Sequence, residues 1–110
     1  MSFLDRFRRA RPQAARRPGS GGVDIAHLAE FVATRRGVEG FVEPRTAVAD
    51  VTLLLVASDG EWTRRRVPSV RWAHEFCNDN RVPSYDAAVV GVPQRMREYN
   101  RRMKQQRGNL

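Results

Sequence analysis

The chain has 110 residues, 20 basic side chains against 12 acidic ones for a formal net charge of +8, and a single cysteine, Cys77. That length suits one small domain, a lone cysteine excludes an intramolecular disulfide or a thiolate metal cage, and no apolar run approaches the 18 or so residues that cross a bilayer. No apolar run of signal-peptide length follows the basic N-terminus, so the expected compartment is a reducing cytoplasm.

Residues 2–10 put Phe3, Leu4 and Phe7 on one helical face with Arg6, Arg8 and Arg9 elsewhere. Pro12, Pro18 and the GSGG run at 19–22 then break regular structure, so 1–22 reads as a basic, largely disordered arm. Asp24 is a good N-cap for a helix whose Ile25, Leu28, Ala29 and Val32 fall on one face. Arg35 and Arg36 suit the negative end of its dipole, and Gly37 a left-handed C-cap.

From Gly37 to Val67 the period becomes that of strands. Residues 41–45 make a short one, and VTLLLVAS at 51–58 is a continuous apolar run that belongs in the centre of a sheet, covered on both faces. Asp59 and Gly60 form a hairpin turn, so WTRRRV at 62–67 returns antiparallel beside it. That strand presents arginines to both faces and is therefore expected at an edge. Ser69 caps a second helix over about 70–79 with Val70, Ala73, Phe76 and Cys77 as its apolar stripe. SYDAAVVG at 84–91 reads as a fourth strand. Pro93 opens a final helix with a Met96, Tyr99 and Met103 stripe.

The fold class is thus α+β in the order α-β-β-β-α-β-α: an antiparallel three-strand meander, a helical crossover to a fourth strand, and helices packed on the sheet. The basic arm 1–22 precedes a single domain at 23–93, and a basic helix and tail follow at 94–110. Charge divides along those lines, for each end carries +5 and the middle −2. A near-neutral domain between two basic ends suits an anionic partner, reached by long-range attraction and counterion release. All but one of the basic residues are Arg, whose guanidinium favours bidentate phosphate recognition, although GC-rich codon usage produces the same excess.

Two constellations carry a functional reading. On the edge strand, Trp62 with Arg64, Arg65 and Arg66 offers a stacking platform among phosphate ligands, and the same charges also protect an edge from aggregation. On the last helix, Arg95, Arg97, Arg101, Arg102 and Lys104 surround the apolar stripe, so the stripe docks while the charges face outward. His74 and Cys77, spaced i and i+3, lack a third ligand, and Cys77 falls on the apolar stripe, so both read as structural. His27 reads as a surface or capping residue. GSGG lacks the Lys and Ser or Thr of a phosphate loop, and no dinucleotide fingerprint occurs, so no cofactor is expected.

The order α-β-β-β-α-β over about 23–91 resembles the core of the restriction-endonuclease-like fold. In that family one strand carries an acid and the next an acid two residues before a lysine, which together hold a metal at the scissile phosphate. Asp50 and Glu61 occupy comparable positions, but Thr63 stands where the lysine would be. The resemblance therefore implies a nuclease-like shell suited to binding. At VEPRTAVADVTLLLVASDGEWTRRRVPS and VPSYDAAVVGVPQRMREYNRR the chain resembles a family of short actinobacterial proteins of unknown function, over roughly 24–102. That resemblance implies a compact unit ending in PQRMREYNRR. An oxidoreductase label attached to some of its members has no cofactor motif behind it here.

The expected function is a non-enzymatic accessory domain that binds RNA, the ribosome or DNA through the phosphate backbone. Two other classes stay open. One is a membrane-surface or partner-binding adaptor, in which Phe3, Leu4 and Phe7 insert beside anionic lipid. The other is a small enzyme, for which Asp50, Glu61, Tyr85 and Asp86 are the polar groups to nominate.

Overall fold

Asp24 caps the first helix of the described residues as its side chain accepts the His27 amide at 3.2 Å, and helix α1 follows over Ile25–Thr34. The structure, a computed structural model, describes residues 23–108. The basic arm and the segment of Phe3, Leu4 and Phe7 lie outside the described residues. After α1 come strands β1 (Glu39–Glu43), β2 (Thr52–Val56) and β3 (Trp62–Arg66), helix α2 (Val70–Asp79), the short strand β4 (Ser84–Asp86), a single helical turn α3 (Ala87–Val90) and helix α4 (Gln94–Gly108). The sheet order is β3-β2-β1-β4, with β1, β2 and β3 antiparallel and β4 parallel to β1. This is the α+β architecture of a meander plus a fourth strand after a helix.

Strand β2 is interior, as its apolar run predicts, and its pleat serves two cores. Leu53 and Leu55 face α1 and α2, where they meet Leu28, Phe31, Val42, Phe76 and Cys77. Leu54 and Val56 face the other way, onto Phe41 and Met96. All four are fully buried, and each contributes about 1.5–3 kcal/mol relative to exposure. Arginine-rich β3 is an edge, paired only with β2. Two histidines tie helices to strands: His27 Nε2 lies 2.6 Å from Thr63 Oγ1, and His74 Nδ1 lies 2.7 Å from Ser84 Oγ. Cys77 packs so close to β1 that a Cβ on Gly40 would sit 2.6 Å from its Sγ. Burial pushes the Cys77 thiol up to about 12, which makes it a core residue and not a thiolate ligand.

The structure corrects three local readings. Residues 84–91 are not one strand: Asp86 accepts the Ala88 amide and caps a helical turn, so β4 ends after three residues, and Val89 and Val90 are exposed. A short apolar run does not by itself distinguish strand from helix, and the cap decides. Helix α1 ends at Thr34 with an extended Arg35 as its C-cap, whereas Gly37, at φ 62, lies two residues beyond. Strand β1 spans 39–43 and not 41–45, since its register with β2 runs from Glu39 opposite Val56 to Glu43 opposite Thr52.

Among the described residues no helix is long and apolar enough to cross a membrane. Beside its Met96 contact, α4 packs closely against the β2–β3 turn. Gly60 has φ 94, and a Cβ there would collide with the Arg95 carbonyl and lie 2.8 Å from Tyr99 Cβ. Gly60→Ala therefore combines left-handed strain with a backbone clash and is expected to cost roughly 2–4 kcal/mol. Urea unfolding checks this; a midpoint within error of wild type would contradict the docked position of α4.

Candidate nucleic-acid interface

Helix α4 sorts its own charges by the direction each faces. Met96 is buried against Phe41, Leu54 and Val56, and Tyr99 and Met103 are half-buried below it, so the stripe docks. Arg95 turns inward beside that stripe. Its Nε donates to the Ala57 carbonyl at 2.9 Å and its Nη2 to Glu39 Oε1 at 2.6 Å and the Val56 carbonyl at 3.3 Å, so it satisfies backbone acceptors at the end of β2. The second oxygen of Glu39 accepts the Tyr85 hydroxyl at 3.1 Å. Arg102 reaches back to the Asp59 carbonyl at 2.9 Å and lies over the Tyr99 ring.

Three of the remaining four cations of α4 face away from the sheet, and Arg107, in the last turn, falls on the side of the apolar stripe. At 100° per residue, Arg97, Arg101 and Lys104 share one ridge roughly opposite Met96, Tyr99 and Met103, and they rise about 10 Å along the axis. All three are exposed. Arg97 donates to the Val92 carbonyl at 3.0 Å, while Arg101 and Lys104 have neither a hydrogen bond nor an ion pair among the described residues. The one acid of the helix, Glu98, adjoins Arg97 and stands at i−3 from Arg101, but it accepts the Gln94 side-chain amide at 3.2 Å and forms no ion pair with the ridge among the described residues.

The edge strand is different, for its functional groups are engaged within the fold. Trp62, Arg64 and Arg66 stand on the α4 side of the sheet and Thr63 and Arg65 on the α1 side. Trp62 donates its indole N–H to Asn100 Oδ1 at 2.7 Å. Arg64 reaches across β2 to Glu43 in a bidentate pair at 2.7 and 3.1 Å, and its guanidinium sits 5.3 Å from the Trp62 ring centre. Glu43 also accepts Thr52 Oγ1 at 2.6 Å. Arg65 donates to the Arg64 carbonyl and approaches Asp24 to 3.7 Å. Arg66 meets Asp50 at 3.5 Å, where both side chains are more than half exposed, so this last pair is weak.

The structure thus divides the eight residues nominated from sequence. Arg97 and Arg101 share a solvent-facing ridge, Arg95 and Arg102 bond back to the hairpin, and Trp62, Arg64, Arg65 and Arg66 form a mostly paired strip. Lys104 completes the ridge. Sequence reasoning gave Arg36 only a helix-dipole role and passed over Arg81 and Arg107; all three are exposed and without a side-chain bond among the described residues. The groups nominated for catalysis do not converge. Asp50 and Glu61 lie at opposite ends of the β2–β3 hairpin, Glu61 holds Arg35 through contacts of 3.3 and 2.7 Å, and Asp86 is a helix cap. Among the described residues no group of three or more His, Cys, Asp or Glu could hold a metal ion.

No family model, no curated protein and no solved structure matches the chain. The reading of its surface therefore rests on geometry and charge.

The hydrogen bond to Glu39 raises the pKa of Tyr85 above its usual 10.0, with the carboxylate charge acting in the same direction. A raised folded value means that the contribution of Tyr85 to stability is complete below about pH 10 and is lost as pH climbs through the shifted value. Absorbance titration should therefore show one phenol ionising late, and Glu39→Gln should restore it to the ordinary range. A wild-type titration identical to that of the variant would rule out the contact.

Proposed function

We propose that this protein is a non-enzymatic module that binds nucleic acid, RNA foremost, through its phosphate backbone, and that the outward ridge of α4 carries the contacts. The observation behind this reading is the contrast within one arginine-rich chain. Arg35, Arg64 and Arg95 hold carboxylates at 2.6–2.7 Å, whereas Arg97, Arg101 and Lys104 project from one helix face and form no ion pair among the described residues. Charge that packing leaves unneutralised attracts polyanions and releases their counterions on contact.

The ridge has the character of a phosphate reader and not of a base reader. Trp62 and Tyr99, the aromatic rings nearest to it, are partly buried and lie beneath Arg64 and Arg102. Backbone contacts set position and carry little sequence information. Low sequence specificity follows. The six arginines of residues 1–22 add to the same long-range field by their charge alone.

Binding of labelled RNA and DNA measured against salt tests the proposal. The affinity should fall steeply, and replacing Arg97, Arg101 and Lys104 together by Gln should reduce the slope of log K against log salt by about 2, at roughly 0.7 per single-strand phosphate contact. Gln keeps helix propensity, so the melting temperature should not move. Arg64→Gln should do the reverse, costing stability by stranding Glu43 while leaving the slope nearly intact. Absence of binding at low salt, or a triple variant that binds like wild type, would refute the reading.

A further inference from the structure

The layer on the α4 side stops short of the sheet it covers. Its buried residues are Phe41, Leu54, Val56 and Met96, which close over β1 and β2 but not over β4. Tyr85 of β4 stands in register with Phe41, with ring centres 5.5 Å apart, and is 37% exposed. The turn α3 that follows adds Val89 and Val90, exposed at 79% and 55%. Of the five large apolar residues exposed among the described ones, these three lie within six positions of one another. Single exposed apolar side chains are ordinary, whereas a contiguous group marks a surface that a partner covers. Beside them opens a shallow cavity of about 220 Å³, lined by Phe41, Tyr85, Val90, Gly91 and Pro93 and by the Glu39 and Arg95 pair. Those two charges satisfy each other at 2.6 Å, so what the cavity offers an occupant is mainly its apolar wall.

The sequence contains a segment of matching character. Phe3, Leu4 and Phe7 are the bulky apolar side chains of residues 2–22, and Arg6, Arg8 and Arg9 accompany them. They lie outside the described residues, but the place where the chain enters the domain does not. Asp24 approaches Arg65 of the edge strand β3 to 3.7 Å, and β4 is the opposite edge of the four-stranded sheet, about 15 Å away at the usual interstrand spacing. Residues 8–22, fully extended, reach at most about 50 Å, so the chain is long enough to bring the segment there. Charge agrees with that placement. Asp86, at the end of β4, is exposed and forms no ion pair among the described residues, and the segment sets three arginines against the single acid Asp5.

We propose that residues 3–7 of the same chain cover this patch, with a phenylalanine seated in the cavity beside Tyr85 and Val90 and the arginines directed toward Asp86. The patch is separate from the α4 ridge, so this docking stands or falls without the phosphate-binding reading.

A nitroxide on the arm of the full chain tests it by nuclear magnetic resonance. Cys77 is buried and its thiol is pushed up to about 12, so Ser2→Cys supplies the reactive position for the label. The amide signals of Tyr85, Val89, Val90 and Gly91 should lose most of their intensity, while those of Arg71 and Glu75, on the exposed side of α2, keep theirs. Val90→Ser changes an exposed side chain and leaves the core intact, and it should restore the lost signals. Phe3→Ser combined with Phe7→Ser should restore them as well. Full intensity at the patch in the labelled wild-type arm, or losses spread evenly over the domain, would overturn the proposal. Mixing labelled chains with unlabelled, isotope-enriched ones reports transfer between copies, and losses at the patch in that mixture would make the occupant a second copy's arm and overturn the intramolecular claim. A patch at full intensity while phosphatidylglycerol vesicles take up the labelled arm would assign the same side chains to a membrane and overturn it too.

Discussion

A strand with large apolar side chains on both of its faces has to be covered twice, and β2 imposes that demand on the whole molecule. Leu53 and Leu55 need one layer, and Leu54 and Val56 need another. Helices α1 and α2 supply the first. The second is met by Phe41, Met96 and the flank of Trp62, which obliges α4 to lie across the sheet beside the β2–β3 turn. Once α4 is docked through Met96, the helical period determines the direction of every other residue on it. Arg95 and Arg102 are carried toward the hairpin, and Arg97, Arg101 and Lys104 away from it. The outward cationic ridge is a consequence of apolar packing on the opposite side of the same helix.

The arginines consequently do two kinds of work with one chemistry. Those turned inward use the guanidinium fork to satisfy several acceptors at once, as Arg95 does with two carbonyls and a carboxylate, and as Arg64 does with both oxygens of Glu43. Such pairs are about a third exposed, and their value lies in geometry more than in Coulomb energy. They join elements distant in sequence: α4 to β1, β3 to β1, α1 to the hairpin. Arginines left without acids supply field and not rigidity. This division explains how an Arg-rich chain can be both folded by its charges and positively charged toward solvent.

Much of this was legible from residue order alone. The caps at Asp24 and Ser69, the Asp59-Gly60 turn, the interior placement of the leucine run, the edge placement of WTRRR and the Met96, Tyr99, Met103 stripe are all local signals, and the structure has each of them. The fold class follows from their sequence. What local signals could not supply was pairing at a distance. Glu43 and Arg64 lie on strands separated by a third, and Glu39 and Arg95 are brought together only by the docking of α4. Hence the edge-strand arginines looked as available as those of the helix. The end of β4 was missed because AAVV suits a strand or a helical turn equally, and only the cap from Asp86 settles it. Arg81 gave no signal at all, since the left-handed position it occupies, at φ 59 just past the C-cap of α2, is ordinarily announced by glycine.

The central claim is that docking of α4 determines which cations meet the ligand. Its most direct measurement is a nuclear magnetic resonance titration of the full chain with a short RNA, following the side-chain resonances of arginine Nε and lysine Nζ. The account predicts progressive, salt-sensitive shifts at Arg97, Arg101 and Lys104, with the Arg64 and Arg95 signals held in place by Glu43 and Glu39. Shifts concentrated at Arg64, Arg65 and Arg66 with a silent Lys104 would contradict it.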